Sequence, residues 1–295
     1  MNKHPSLRCN GVLTLSLFLS LAGARLIAGS ATWNLNPVSG IWNDPTNWTP
    51  TTVPNGAADT ATFGASNTAN IFLTTNTEVN GIVFNSPGYT INVSGPPATA
   101  PTLVVSGTGI TNAGTFLMGG GRLRFSGSAT AGPATLIIPA GDPVINPGEL
   151  RFLNTATAGS SVITIAGSTA NGGFADAFFA NNSSGGSSTI TTGGSSGRVN
   201  DLGGMVNFLD NATAANATLI VNGGTTPGAL GGFQFFSGSG SAGAATLIAN
   251  GGTGGGDGGR TFFTDQSSGG TARDHERGRH FRCQRAHDCN EHRLH

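Results

Sequence analysis

Histidine is missing from residue 5 to residue 274, lysine is missing after Lys3, and no cysteine lies between Cys9 and Cys283. Each gap closes off a class of chemistry. Without histidine or lysine, the body of the chain has no usual general base other than its few carboxylates. Without cysteine, no disulfide scaffold holds it, so backbone pairing and stacking must. Charge is scarce and balanced, 14 basic against 14 acidic residues in 295. No net field draws nucleic acid or an anionic membrane, and no nucleic-acid partner is expected. After the first thirty residues no run is apolar enough to cross a bilayer. What the chain has in abundance is glycine, 48 residues, without the strict three-residue period of collagen. Its apolar fraction of 37% falls at regular intervals, which argues against a disordered linker and for a thin, elongated, repetitive core.

Residues 1–31 read as an export signal: Lys3 and Arg8 as the basic start, "GVLTLSLFLSLAG" as the apolar stretch, and small residues at Ala22-Gly23-Ala24 and Ala28-Gly29-Ser30-Ala31. The run is short for a membrane anchor. The expected location is therefore secreted, extracellular or on a bacterial cell surface.

Residues 32–118 form a first region, an N-terminal β cap with the first coils. It holds all three tryptophans, Trp33, Trp42 and Trp48, with Asn-Asp-Pro between the last two. Packed indoles over a tight loop would seal an apolar end; the alternative is a stacking platform for sugar. Strand-like runs follow, "ANIFLTT", "GIVFN", "YTINVSG" and "PTLVVSG", separated by turn signals such as Asn80-Gly81.

Residues 119–273 repeat. Phe125, Phe152, Phe179, Phe208, Phe236 and Phe263 recur at intervals of 27, 27, 29, 28 and 27 residues. Eleven positions after each of the first five comes Leu136, Ile163, Ile190, Leu219 or Leu247, and two further on Ile138, Ile165, Thr192, Val221 or Ala249. The alternation is that of a strand. "TAG", "SGG" and "NGG" supply turns that need positive φ. One repeat buries almost nothing, but each added coil covers its neighbour's edge. The predicted fold is all-β, a right-handed parallel β-helix of about 27–29 residues per coil, with a phenylalanine ladder and an aliphatic ladder inside. An up-and-down barrel of hairpins is the alternative.

At Asp274 the sixth repeat loses its aliphatic residue. Residues 273–295 carry 10 of the chain's 28 charged residues and five of its six histidines. The last coil is expected to stand open near 273. Residues 274–295 read as a non-repeat, disordered tail whose sudden change of composition suggests a shifted reading frame. His280, Cys283, His287, Cys289 and His292 have no standard zinc spacing, and no metal or other cofactor is expected.

The opening "TWNLNPVSGIWNDPTNWTPTTVPNGAADTATFG" and the repeat of Phe236–Ile248 resemble the autotransporter-associated β-strand repeat family, over residues 32–273. The resemblance implies a passenger-like structural or adhesive module of a bacterial surface, with surface glycans or other cell-surface proteins as partners. It also implies a C-terminal membrane barrel, and no alternating ten-residue strands follow residue 273. Catalysis is not expected, and no catalytic, cofactor or metal residue is assigned. The other reading is a carbohydrate-binding or carbohydrate-active β-helix, with Trp33, Trp42 and Trp48 as its contacts. The repeat-region acids are Asp142, Glu149, Asp176, Asp201, Asp210, Asp257 and Asp265. Phased on phenylalanine, Asp210 and Asp265 fall together, but Gly238 separates them and no column of acids is expected. Arg124 and Arg151, each just before a ladder phenylalanine, should lie on neighbouring coils. "GGTGGGDGG" at 251–259 is out of register for a calcium-binding repeat and lacks the Lys-Ser/Thr of a phosphate loop.

Overall fold

The computed structural model describes residues 29–96, 98–142, 147–170, 172–277 and 282–283; the export-signal reading of 1–31 falls almost wholly outside them. The chain is a parallel β-solenoid of about nine turns. One sheet has twelve strands and the other nine. Neighbouring strands are parallel throughout, except where Trp48–Thr49 runs antiparallel to Ala31–Trp33 at one edge of the long sheet. That excludes the hairpin barrel.

Each coil from residue 122 onward has three sides. The first is a four-residue strand of the long sheet ending at or beside a ladder phenylalanine, such as Glu149–Phe152. The second is a single bridge position: Thr130, Thr157, Ser184, Thr213, Ser241 and Ser268 pair in that order. The third is a strand of the short sheet, such as Val162–Ile165. Alternation sends one set of side chains inward. The register matches the sequence phasing. Phe125, Phe152, Phe179, Phe208, Phe236 and Phe263 are successive partners. So are Leu136, Ile163, Ile190, Leu219 and Leu247. The phenylalanine rings stack at 4.6–4.9 Å with interplanar angles of 7–12°. That spacing is the strand separation itself, so the backbone repeat sets the offset at which the rings stack. The short bridge side carries small inward residues, Ala131, Ala158 and Ala214, all fully buried.

Two turn columns explain the glycine-rich language between strands. Two residues after each ladder phenylalanine stand Gly127, Asn154, Asn181, Asp210, Gly238 and Asp265, all with φ between 55° and 63°. Only residue types that tolerate the left-handed region occupy it. The side chain of one coil often caps the previous one: Asn181 Oδ1 accepts from Asn154 N at 3.1 Å, and Asp210 Oδ2 accepts from Asn181 N at 2.8 Å. Beyond the bridge, Gly132, Gly159, Gly186, Ala215, Gly243 and Gly270 share φ of 54–63°. Here the bridge hydroxyl accepts the N–H two residues on, as Thr157 Oγ1 does from Gly159 at 3.1 Å.

Coils before residue 122 are built differently. Gly56–Phe63, Thr77–Phe84 and Thr102–Thr111 are long strands with register shifts in their middle. Ile110 N donates to Thr130 O at 2.8 Å, so the second half of the long strand lies under the later bridge column. Below the first coil the three indoles close the end. Trp33, Trp42 and Trp48 are 2%, 0% and 1% exposed; Trp48 meets both other indoles edge-on, and all three pack against Phe63. Each indole N–H reaches a carbonyl: Trp33 to Thr68, Trp42 to Pro54, Trp48 to Trp42, at 2.7–3.1 Å.

At the other end the structure departs from the expected stop near 273. Arg273–Arg277 continues the short sheet against Thr246–Asn250, and Arg282–Cys283 pairs with Phe262–Phe263. Asp274 stands opposite Leu247 and is exposed, so the aliphatic column does end there. Backbone hydrogen bonding carries on because it requires only N–H and C=O groups. Residues 278–281 and 284–295 are outside the described residues, and with them the zinc-like histidines and most of the presumed tail.

Candidate functional site

The tryptophans cannot be sugar contacts, since burial leaves their faces no ligand. The acids of the loops and turns have local partners. Asp257 Oδ2 accepts from Arg260 at 2.7 Å. Asp201 Oδ2 accepts from Arg198 N at 2.6 Å within its own turn. Asp210 and Asp265 cap backbone N–H groups of the previous coil. Asp142 lines an open depression of about 420 Å³ with Thr169, Arg198 and Asp201.

The outward face of the long sheet is different. Three positions before the ladder phenylalanine, Arg122, Glu149, Asp176, Met205, Phe233 and Arg260 are successive register partners; one position before it, so are Arg124, Arg151, Phe178, Asn207, Phe235 and Phe262. The face therefore has a charged half and an aromatic half. In the charged half, Arg151 Nη2 donates to Glu149 Oε2 at 2.9 Å, while its Nε lies 2.6 Å from Oε1 but is poorly directed for a hydrogen bond. Arg122 Nε is 3.7 Å from the same carboxylate. The Arg151 guanidinium lies 5.1 Å above the Phe178 ring. Burial, with Glu149 beside it, pushes the Asp176 carboxyl up to about 6, and Arg151 offsets part of this. Arg124 has no carboxylate partner among the described residues, and its Nε is shut from solvent without an acceptor.

In the aromatic half, Phe235 and Phe262 stack at 4.8 Å and 10°, with Phe233 5.9 Å and 6.2 Å from them. Their faces meet one another, so the rings turn their edges outward and are poor platforms for a flat ligand.

Arg124 and Arg151 meet as expected. The expectation that no acids share a column is corrected: Glu149 and Asp176 are neighbours in one. Each stands three residues before a ladder phenylalanine, so the signal was present in the phase. The turn position two residues after the ring, where Asp210 and Asp265 stand, carries no trace of it. No protein-family model matches the chain, and no curated protein or solved structure is significantly similar to it.

Proposed function

We propose that the chain is a passenger-like structural and adhesive module, exported and presented on a bacterial surface, without catalysis of its own. The observation that carries this reading is the run of stacked coils closed at one end by an indole cap. Such a core makes a stiff rod whose outward faces are free to vary, which suits presentation more than turnover. Loops that stack coil on coil extend the same regularity outward: Thr225 N bonds Ser195 O and Asp257 N bonds Ala229 O, both at 2.9 Å. The test is to express the full chain in a Gram-negative host and expose intact cells to protease. The expected result is a shortened N-terminus in the exported protein and a surface-accessible β-rod. A full-length protein held in the cytoplasm would overturn the reading.

The carbohydrate reading loses its tryptophans but keeps a specific observation in its favour, the mixed charged face around Glu149 and Asp176. As an adhesive contact this face is compatible with the first reading.

A further inference from the structure

We propose that the outward face of the long sheet between Arg122 and Phe178 docks an acidic glycan, a polysaccharide carrying carboxylates, with Arg124 receiving the anionic group. The proposal rests on the adhesive reading above and names its target chemistry.

The charges on this face are unevenly matched. Register places Arg124 directly beside Arg151 on the next coil, about 4.8 Å away along the stack. Like charges opposite one another in a sheet repel. The nearby acid, Glu149, is engaged by Arg151 at 2.9 Å and approached by Arg122 at 3.7 Å, so it offsets Arg151 and leaves Arg124 without a carboxylate of its own. On its other side Arg124 has Val104 as its register partner, which offers no charge. A guanidinium with no carboxylate partner among the described residues gains from an added oxyanion, and its fork suits a planar carboxylate.

The following two coils specify the rest of the ligand. Glu149 and Asp176 put carboxylates on successive rungs, and these accept hydrogen bonds from hydroxyls. Along the rod the face thus runs from cation to hydroxyl acceptors. A polyuronate presents both anions and hydroxyls. A polyglutamate offers carboxylates to Arg124 but no hydroxyls to donate to Glu149 and Asp176, so it meets only half of this face. The aromatic half adds no platform, as its faces are stacked on each other.

The test uses the full chain and four immobilised polymers: polygalacturonate, a sulfated dextran, neutral dextran and polyglutamate. Polygalacturonate should retain the protein, neutral dextran and polyglutamate should not, and weaker retention on sulfated dextran is expected because sulfate lacks the planar match. Arg124→Gln should weaken polygalacturonate binding by about tenfold or more, the scale of one charged hydrogen-bonding group, and Arg124→Lys should recover part of it. Arg198→Gln, in a loop away from this face, should change nothing. No retention on polygalacturonate, equal retention on polyglutamate or sulfated dextran, or equal losses in the Arg124 and Arg198 variants would each overturn the proposal. Surface display of Arg124→Gln, measured by protease shaving, should match the parent. Lost glycan binding with display retained falls on this face alone, whereas lost display in the parent falls on the surface reading.

Discussion

The capped end and the repeating stack solve one problem, an open sheet edge, by opposite means. The stack covers each edge with another copy of itself, so a given column needs only a similar residue every 27–29 positions. The cap has no further copy to lean on. It folds the chain back into an antiparallel strand and packs three different indole orientations around one phenylalanine. Periodic packing tolerates glycine, serine and alanine because its large residues recur; terminal packing concentrates large residues where nothing recurs. The cap also orders its loop with buried polar bonds, Asn47 Nδ2 to Ile41 O at 2.8 Å and to Ser39 Oγ at 2.9 Å. Edges left bare invite pairing with other chains.

The largest effects should come from breaking each solution at its centre. Trp42→Ala removes a fully buried indole and strands the Pro54 carbonyl; about 3–5 kcal/mol of stability should be lost, and sedimentation should show association through the opened edge. Phe179→Ala costs a similar amount by urea denaturation, but it interrupts the ladder between two ring neighbours. Because a solenoid is held coil to coil, unfolding should then separate into two transitions. Phe125, which stacks on Phe152 alone, should cost less when changed to alanine, by about 0.5–1.5 kcal/mol, the worth of one aromatic pair. Equal losses at 125 and 179 would mean that ring stacking adds nothing beyond burial.

A smaller effect lies where the stack compromises itself. The column Leu123, Leu150, Ala177, Val206 is apolar and then becomes Gln234 and Thr261. Both are buried; Thr261 Oγ1 and Gln234 Oε1 are 3.1 Å apart, and Gln234 Nε2 has no partner. An orphaned buried amide costs about 1–3 kcal/mol. Replacing both residues with valine should therefore raise the urea midpoint by about 1–2 kcal/mol in stability; a lower midpoint would show that the polar rung is better packed than valine. Ala215 offers a still smaller gain. It holds φ of 54° where the other five coils use glycine. Ala215→Gly should stabilise by about 0.5–1 kcal/mol, the strain of a left-handed alanine less the added freedom of glycine.

Much of the stack was legible before any coordinates, because its inward residues are large, apolar and evenly spaced. Phe125 through Phe263 set the register, and Leu136 through Leu247 fell into it unaided. The cap was legible in kind, as clustered tryptophans, but its antiparallel return was not, since Trp48–Thr49 is too short to carry a pattern. The three-sided coil was only half visible: one bridge residue per turn leaves just a Ser or Thr before small residues. The continuation to Arg277 was invisible because "RDHER" lacks the apolar residues that mark the column, while its backbone pairs as the earlier strands do. The pairing of Glu149 with Asp176 was visible in phase yet unread, because polar residues on an outward face have no periodicity of their own and inherit it from the buried ring three residues on.

That inherited register gives the last and smallest comparison, between a charged rung and an aromatic one on the same face. Asp176 is raised to about 6 by burial and by Glu149. A carboxyl raised on folding binds protons more tightly in the folded chain than in the unfolded one. Between its ordinary value near 4 and about 6, stability contributed by this group is therefore present at the acid end and falls as pH rises. Asp176→Asn removes the titration while keeping the shape. The variant should be more stable than the parent at pH 7, about equal to it at pH 4, and the difference should open across that window in thermal melts. Met205→Leu, in the same column one coil further on, should shift both ends of the range equally. If Asp176→Asn also gives a pH-independent shift, Arg151 neutralises the acid fully, and the charged half of the face is as settled within itself as the stacked aromatic half.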